Sequence, residues 1–277
     1  MSVIKAHFSR KYLREETLPT LFCPGCFNGI LMNALAKAFE ELGIDNLKKF
    51  VFVSGIGCSS WIPSPYIKAD SLHTLHGRAI PVAIGVKLAK PELEVVVIAG
   101  DGDLASIGLG HLIHAARRNV DLVTILVNNY VYGMTRGQVS PTTPIGLETP
   151  TTPYGAFEYP LDVCKVIEAT NANYVARWTI AHFTQLKESI KYVFSKIRRG
   201  FRFIEVIAPC TTYISRRLRK TPADTIKDLL RTSILLNKAK SKELGKLIVG
   251  VFKSEDKPGY VELYKNYIER AKLSNVR

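Results

Sequence analysis

The chain has 277 residues, 47% of them hydrophobic, and a formal net charge of +14. That length suits one large α/β domain with a sizeable core, or one domain plus an appendage, and disfavours two full domains. No run of about 18 apolar residues occurs, and the opening MSVIKAHFSRKY lacks an apolar stretch before a small-residue cleavage site, so a cytoplasmic protein without a membrane segment is expected.

In chain order, Cys23-Pro24-Gly25-Cys26 stands just before a predicted helix over Asn28–Leu42, where Leu31, Ala34, Leu35, Ala38, Phe39 and Leu42 recur at helical steps and Gly43 supplies the stop. FVFVSG (Phe50–Gly55) reads as a buried strand ending in the loop GIGCSSWIPSP. HGRAIPVAIGVKLAK gives a helix with Pro81 in its first turn. A strand follows over Glu94–Ala99, a helix over Leu104–Arg118 and a strand over Leu122–Val127. Residues Val139–Pro160 are rich in proline and threonine and predict a long irregular loop. The rhythm resumes with a helix (Leu161–Thr170), a strand (Tyr174–Trp178), a helix (Phe183–Arg198) and a strand (Phe201–Ile207) that ends at Ala208-Pro209-Cys210. Near-continuous Val, Ile and Leu strands alternating with helices predict an α/β fold, doubly wound, with a mostly parallel sheet and helices on both faces.

Beyond residue 210 the sequence predicts a helical, basic C-terminal extension. Residues 211–277 carry 16 Lys and Arg against 7 Asp and Glu, which leaves 22 of the 38 basic and 17 of the 24 acidic residues in 1–210. Thr221-Pro222-Ala223-Asp224 has the form of a capping box leading into IKDLLRTSILLNKAK. Tyr260, Leu263, Tyr264, Tyr267, Ile268 and Ala271 form an apolar stripe, which would pack on its own domain or dock onto another subunit. The charge suits either a solvated surface or an acidic partner. No RNA-binding signature, zinc-finger spacing or interleaved aromatic pattern accompanies it, so nucleic acid is disfavoured.

Gly100-Asp101-Gly102-Asp103-Leu104-Ala105 satisfies the loose dinucleotide fingerprint, but the acidic residue expected about 20 residues on falls on Asp121, which opens the next strand instead of closing it. What closes that strand is Asn128-Asn129. Asp101 and Asn129, at the carboxyl ends of neighbouring strands, suit a hard cation such as magnesium, and the following helix N-terminus suits the diphosphate that shares the metal. Asp103 would hydrogen-bond the cofactor or cap that helix. Cys23-x-x-Cys26 alone admits a zinc knuckle, a redox pair or half of a cluster site. No strand precedes it, which disfavours the redox pair, and Cys58 and Cys210 come singly from the ends of two predicted strands. Four thiolates from three segments suit a [4Fe–4S] cluster. Cys164 reads as a buried small hydrophobe.

With GDG, 25 residues, then NN, and with LHGRAIPVAIG, GDGDLASIG, HAARRN and VNNYVYGMTRGQVSPTT, the sequence resembles the beta subunit of 2-oxoacid:ferredoxin oxidoreductases over residues 20–212. The resemblance implies a thiamine diphosphate-binding fold of the diphosphate type over residues 1–210, with 211–277 as an extension. Magnesium ligands correspond to Asp101, the Asn129 side chain and the Val131 carbonyl. Cofactor contacts correspond to Ile56, Gly57, Cys58, Ser59, Gly102, Asp103, Gly133 and Met134, with His76 near the diphosphate. Cys23, Cys26, Cys58 and Cys210 correspond to the cluster ligands, and Arg136 to a residue implicated in coenzyme A binding. The implied activity is coenzyme A-dependent oxidative decarboxylation of a 2-oxoacid such as pyruvate or 2-oxoglutarate, with electrons passing through the cluster to ferredoxin. The resemblance also implies a partner alpha, or fused alpha-gamma, subunit carrying the glutamate that activates thiamine, which leaves no complete catalytic set on this chain. Trp61 departs from what the family often has after Cys58-Ser59-Ser60. Two other readings are a zinc-binding structural subunit and an NAD-binding oxidoreductase.

Overall fold

A computed structural model of the chain describes residues 8–239 and 245–274. The elements are α1 (Asn28–Glu41), β1 (Phe50–Ser54), β2 (Asp70–His73), α2 (Ala79–Ala89), β3 (Glu94–Gly100), α3 (Leu109–Arg117), β4 (Val123–Asn128), β5 (Val131–Tyr132), β6 (Gln138–Val139), α4 (Val163–Glu168), β7 (Tyr174–Thr179), α5 (Phe183–Ser195), β8 (Arg202–Ile207), α6 (Pro222–Thr232), β9 (Ser233–Leu235), β10 (Leu247–Ser254) and α7 (Tyr260–Ser274). Residues 1–7, in the stretch read for a cleavage site, and Lys240, the end of the first helical pattern in the tail, lie outside the described residues. Among the described residues no helix is long and apolar enough to cross a membrane.

Eight strands form one sheet in the order β2-β1-β3-β4-β8-β7-β10-β9. All neighbours are parallel except β10, which runs antiparallel to β7. Alternation along each strand sends side chains to opposite faces. Val96 and Ile98 of β3 enter a core with α1 and α5, while Val95, Val97 and Ala99 enter a second core with α2, α3 and α4. Both faces are therefore sealed, which is why the strands carry no polar alternation. Burying each such side chain contributes roughly 1.5–3 kcal/mol, so this central sheet is a rigid base for the loops at its ends.

Four features differ from the sequence expectation. β2 is a polar, mostly exposed edge strand, and its composition carries no strand signal. The helix expected from Leu104 is interrupted: Asp103–Ile107 forms a wide turn, and α3 begins only after Gly108. In the tail, the capping box forms as expected, with reciprocal bonds between Thr221 and Asp224. The helix it starts then ends at Thr232, and Ser233–Leu235 becomes a strand because the unanticipated β10 is there to pair with it. The tail therefore adds two strands to the main sheet as well as helices. On α7 the apolar stripe packs at its first turn, where the Tyr260 ring lies under the Arg118 guanidinium at 4.4 Å. Leu263, Tyr264 and Tyr267 are exposed.

Candidate functional site

The carboxyl ends of four adjacent parallel strands supply the candidate residues: β1 leads to Gly55–Ser59, β3 to Asp101, β4 to Asn129 and β8 to Cys210. This is the edge at which open α/β sheets bind ligands. Asp101 is 1% exposed. Its Oδ2 accepts hydrogen bonds from Ser140 Oγ (2.6 Å) and Thr142 Oγ1 (2.8 Å), and its Oδ1 a long one from the Asn129 amide (3.3 Å). Among the described residues its hydrogen-bond partners are all neutral. Burial pushes its carboxyl from the usual 3.8 up to about 6, against the pull of the Ser140 and Thr142 bonds. A buried carboxylate with only neutral donors and a weakly bonded Oδ1 fits a hard divalent cation, as does the amide oxygen of Asn129, which among the described residues accepts one bond, from the Val131 amide at 3.0 Å. Val131 is buried at the start of β5. The turn between is strained in the way such sites often are: Tyr130 has φ of 68°.

The Asp103 side chain does not cap α3, and its Oδ2 is buried without a hydrogen-bond partner among the described residues. Its buried carboxylate accepts a short hydrogen bond from the Gly77 amide and lies 3.5 Å from His76 Nδ1. His76 Nδ1 is also 3.2 Å from the Ile56 carbonyl. Burial raises the Asp103 carboxyl, opposed by the Gly77 bond and by His76. A Cβ on Gly55 would stand 1.9 Å from Asp103 Oδ2. Asp103 thus ties the loop after β1 to the turn at Gly77. Gly102 serves close approach too, since a Cβ there would stand 2.4 Å from the Tyr132 ring. Ser59 packs against Gly100, whose Cβ position is 3.3 Å from Ser59 Oγ.

The two halves of the site meet at Gly133. A Cβ there would stand 3.3 Å from Asn129 Nδ2 and 3.7 Å from both Cys58 Sγ and Cys210 Sγ, so those two sulfurs lie at most twice 3.7 Å apart. Cys58 interacts electrostatically with Cys210, Cys26 and Cys23, which gathers these four of the five free thiols in one region. Burial pushes the Cys26 and Cys58 thiols up to about 11 and raises Cys210 as well. Thiols held neutral in this way need a metal to become thiolates. Among the described residues no group of three or more His, Cys, Asp or Glu side chains is arranged to hold a single metal ion. The Cys23–Cys26 loop is braced by α6, since a Cβ on Gly25 would stand 2.7 Å from Pro222 Cγ.

Met134 and Ile56 are exposed at the rim. Gly57 takes φ of 149° and Arg136 φ of 85°, and the Arg136 side chain is exposed with no bond among the described residues. Trp61 is partly buried against the α1 side of the core. Cys164 is fully buried, as expected. Asp121 sits at the opposite end of the sheet, where it accepts bonds from the amides of Gly200 (2.9 Å) and Val261 (3.0 Å), so it cannot serve a ribose at this edge. Sequence reasoning gave no individual role to Ser140 or Thr142, although SPTT stood within the motif that carries the resemblance, and it named Asn128 only with Asn129 at the strand end; the signal available was a cluster of hydroxyls at the end of a site segment.

Residues 55–206 match the family described as thiamine pyrophosphate enzyme, C-terminal TPP binding domain. The chain is 52% identical over 271 residues to the 2-oxoglutarate synthase subunit KorB of Methanocaldococcus jannaschii, covering 96% of this chain and 99% of that one. It is 45% identical over 194 residues to the 2-oxoacid:ferredoxin oxidoreductase subunit beta of Saccharolobus solfataricus, covering 69% of this chain and 62% of the other. Among solved structures, 2-oxoglutarate:ferredoxin oxidoreductase from Magnetococcus marinus, with 2-oxoglutarate, coenzyme A and succinyl-CoA bound, aligns with a TM-score of 0.83 and 33% identity, covering 97% of this chain and 92% of that chain. The chain belongs to the thiamine pyrophosphate enzyme family, among the beta subunits of 2-oxoacid:ferredoxin oxidoreductases.

Proposed function

We propose that the chain acts in the cytoplasm as the cofactor-bearing subunit for coenzyme A-dependent oxidative decarboxylation of a 2-oxoacid, passing electrons to ferredoxin. 2-Oxoglutarate is favoured over pyruvate, because relatives 43–52% identical over 91–96% of this chain carry the name 2-oxoglutarate synthase. The observation that carries the reading is the convergence of Cys58, Asn129 and Cys210 around Gly133, with Asp101 bonded to the Asn129 amide. Thiamine diphosphate, when bound, supplies a nucleophilic carbon and an electron sink for decarboxylation.

Asp101, the Asn129 side chain and the Val131 carbonyl would hold Mg²⁺. Ile56, Gly57, Cys58, Ser59, Gly102, Gly133 and Met134 would border the cofactor, with His76 and Asp103 shaping its diphosphate side. Cys23, Cys26, Cys58 and Cys210 would ligate a [4Fe–4S] cluster. The four come from three segments of the chain, an arrangement that suits a [4Fe–4S] cluster. Cys58 belongs both to the loop after β1 and to the thiol group, which puts an electron acceptor beside the cofactor. Arg136, exposed and with no bond among the described residues, would pair with a phosphate of coenzyme A or a substrate carboxylate. Residues 1–210 would carry the cofactors, and 211–277 would brace them and face an acidic ferredoxin.

The test is anaerobic purification of the chain followed by quantification of iron, acid-labile sulfide, zinc and Mg²⁺-dependent thiamine diphosphate binding. The expected result is about four iron and four sulfide per chain, lost in Cys58→Ala and Cys210→Ala. Zinc without sulfide would establish the structural-subunit alternative instead.

A further inference from the structure

Across the sheet edge from Asp101 runs a line of buried polar groups that no part of the cofactor reading uses. Glu205 of β8 is 1% exposed and Arg177 of β7 is 6% exposed, and the two are register partners on the α4 side of the sheet. Arg177 Nε donates to Glu205 Oε2 at 2.6 Å, and its Nη2 donates to Asp162 at the start of α4. Asn128 Nδ2 donates to Glu205 Oε1 at 2.8 Å. Asn128 Oδ1 in turn accepts from the Tyr130 amide (3.1 Å) and lies 2.9 Å from Thr142 Oγ1, which is also 2.8 Å from Asp101 Oδ2.

The polarity of this chain is fixed from one end. Glu205 offers only acceptors, so it compels Asn128 to turn its NH₂ inward. The Asn128 oxygen must then face the turn, where it holds Tyr130 in its left-handed conformation and meets the Thr142 hydroxyl. Arg177 makes the buried carboxylate tolerable; without it, an unpaired anion would sit in the core. Burial alone would lower the Arg177 guanidinium, yet Glu205 and Asp162 hold it above its ordinary value, so Arg177 stays charged. Arg177 also donates to the Ile248 carbonyl of β10, while on the Asn128 side the ordering effect of the pair falls on the segment 128–131 and on Thr142, the groups that border Asp101.

We propose that Glu205, acting through Asn128, is a positioning residue for the cation site: it fixes the amide orientation that sets the Asn129–Val131 turn and that presents Asn128 Oδ1 to the Thr142 hydroxyl, whose one proton is shared between that oxygen and Asp101 Oδ2. The proposal rests on the assignment of Mg²⁺ to Asp101, Asn129 and Val131 made above. Partners of this kind, one shell behind the ligands, typically change metal affinity by about 10–100-fold.

The test uses the full-length chain co-purified with its partner subunit and titrates Mg²⁺ in the presence of thiamine diphosphate by calorimetry. Glu205→Gln keeps the size but presents a donor to the Asn128 donor, so Mg²⁺ affinity should fall about 10-fold or more. Adding Asn128→Asp to Glu205→Gln restores an acceptor opposite the new donor and should return affinity to within about 3-fold of wild type, a reciprocal rescue that simple loss of packing would not show. Wild-type affinity in Glu205→Gln, or a double variant as weak as the single one, would overturn the proposal. Should Glu205→Gln not fold, Thr142→Val cuts the same line next to Asp101: a loss of about 5-fold or more supports the proposal, and an unchanged affinity overturns it. If the wild-type complex itself shows no Mg²⁺-dependent binding, the cation assignment fails and the positioning role fails with it. Wild-type binding that Glu205→Gln leaves intact removes the positioning role alone.

Discussion

A buried carboxylate surrounded only by hydroxyls and amides is costly unless a cation joins it, and Asp101 is in that position. Its carboxyl is raised to about 6, so in the metal-free protein the ionised form at neutral pH opposes folding, and stability should rise as pH falls through about 6. Asp101→Asn removes that charge. The expected outcome is a metal-free melting temperature equal to or above wild type at pH 7.5, together with a loss of about 100-fold or more in Mg²⁺-dependent thiamine diphosphate affinity; a lower melting temperature with intact affinity would contradict it. Gly55→Ala presses a methyl group into Asp103 and should cost about 1–3 kcal/mol in denaturant unfolding. Asp101 and Asn129 were legible because motif spacing and strand ends are properties of the linear sequence. Ser140, Thr142 and Glu205 were not, since their meaning lies in contacts to residues 39 to 77 positions away.

At the scale of elements, strands buried on both faces announce themselves, and β1, β3, β4, β7 and β8 lie within a residue or two of where apolar runs put them. β2 and β9 are short edge pieces of the sheet, and β10 exists because β7 offers it an edge; such strands are defined by their neighbours more than by their own residues. The start of α7 is defined in the same way, by Asp121 on the far side of the sheet. Asp121→Ala strands the amides of Gly200 and Val261 and should destabilise the chain by about 1–3 kcal/mol, with earlier proteolysis at residues 255–265. Undiminished protease resistance would show that α7 is held by other contacts. The apolar stripe was expected to pack on this domain or on another subunit, and beyond Tyr260 its Leu263, Tyr264 and Tyr267 are exposed in this chain.

For the whole molecule, loops at the carboxyl edge of one sheet carry Asp101, Asn129, Cys58 and Cys210, and the Cys23–Cys26 segment before α1 joins them. On the proposed reading the chain would supply cofactor binding, orientation and an electron acceptor, and thiamine activation would fall to a partner subunit. The measurement that tests this most directly is ferredoxin reduction under anaerobic conditions with 2-oxoglutarate, coenzyme A, Mg²⁺ and thiamine diphosphate, comparing the isolated chain with the complex it forms with its partner. The account predicts reduction by the complex that depends on each of these components, and none by the isolated chain. Robust 2-oxoglutarate decarboxylation by the isolated chain, or a complex that reduces no ferredoxin with any 2-oxoacid, would contradict it.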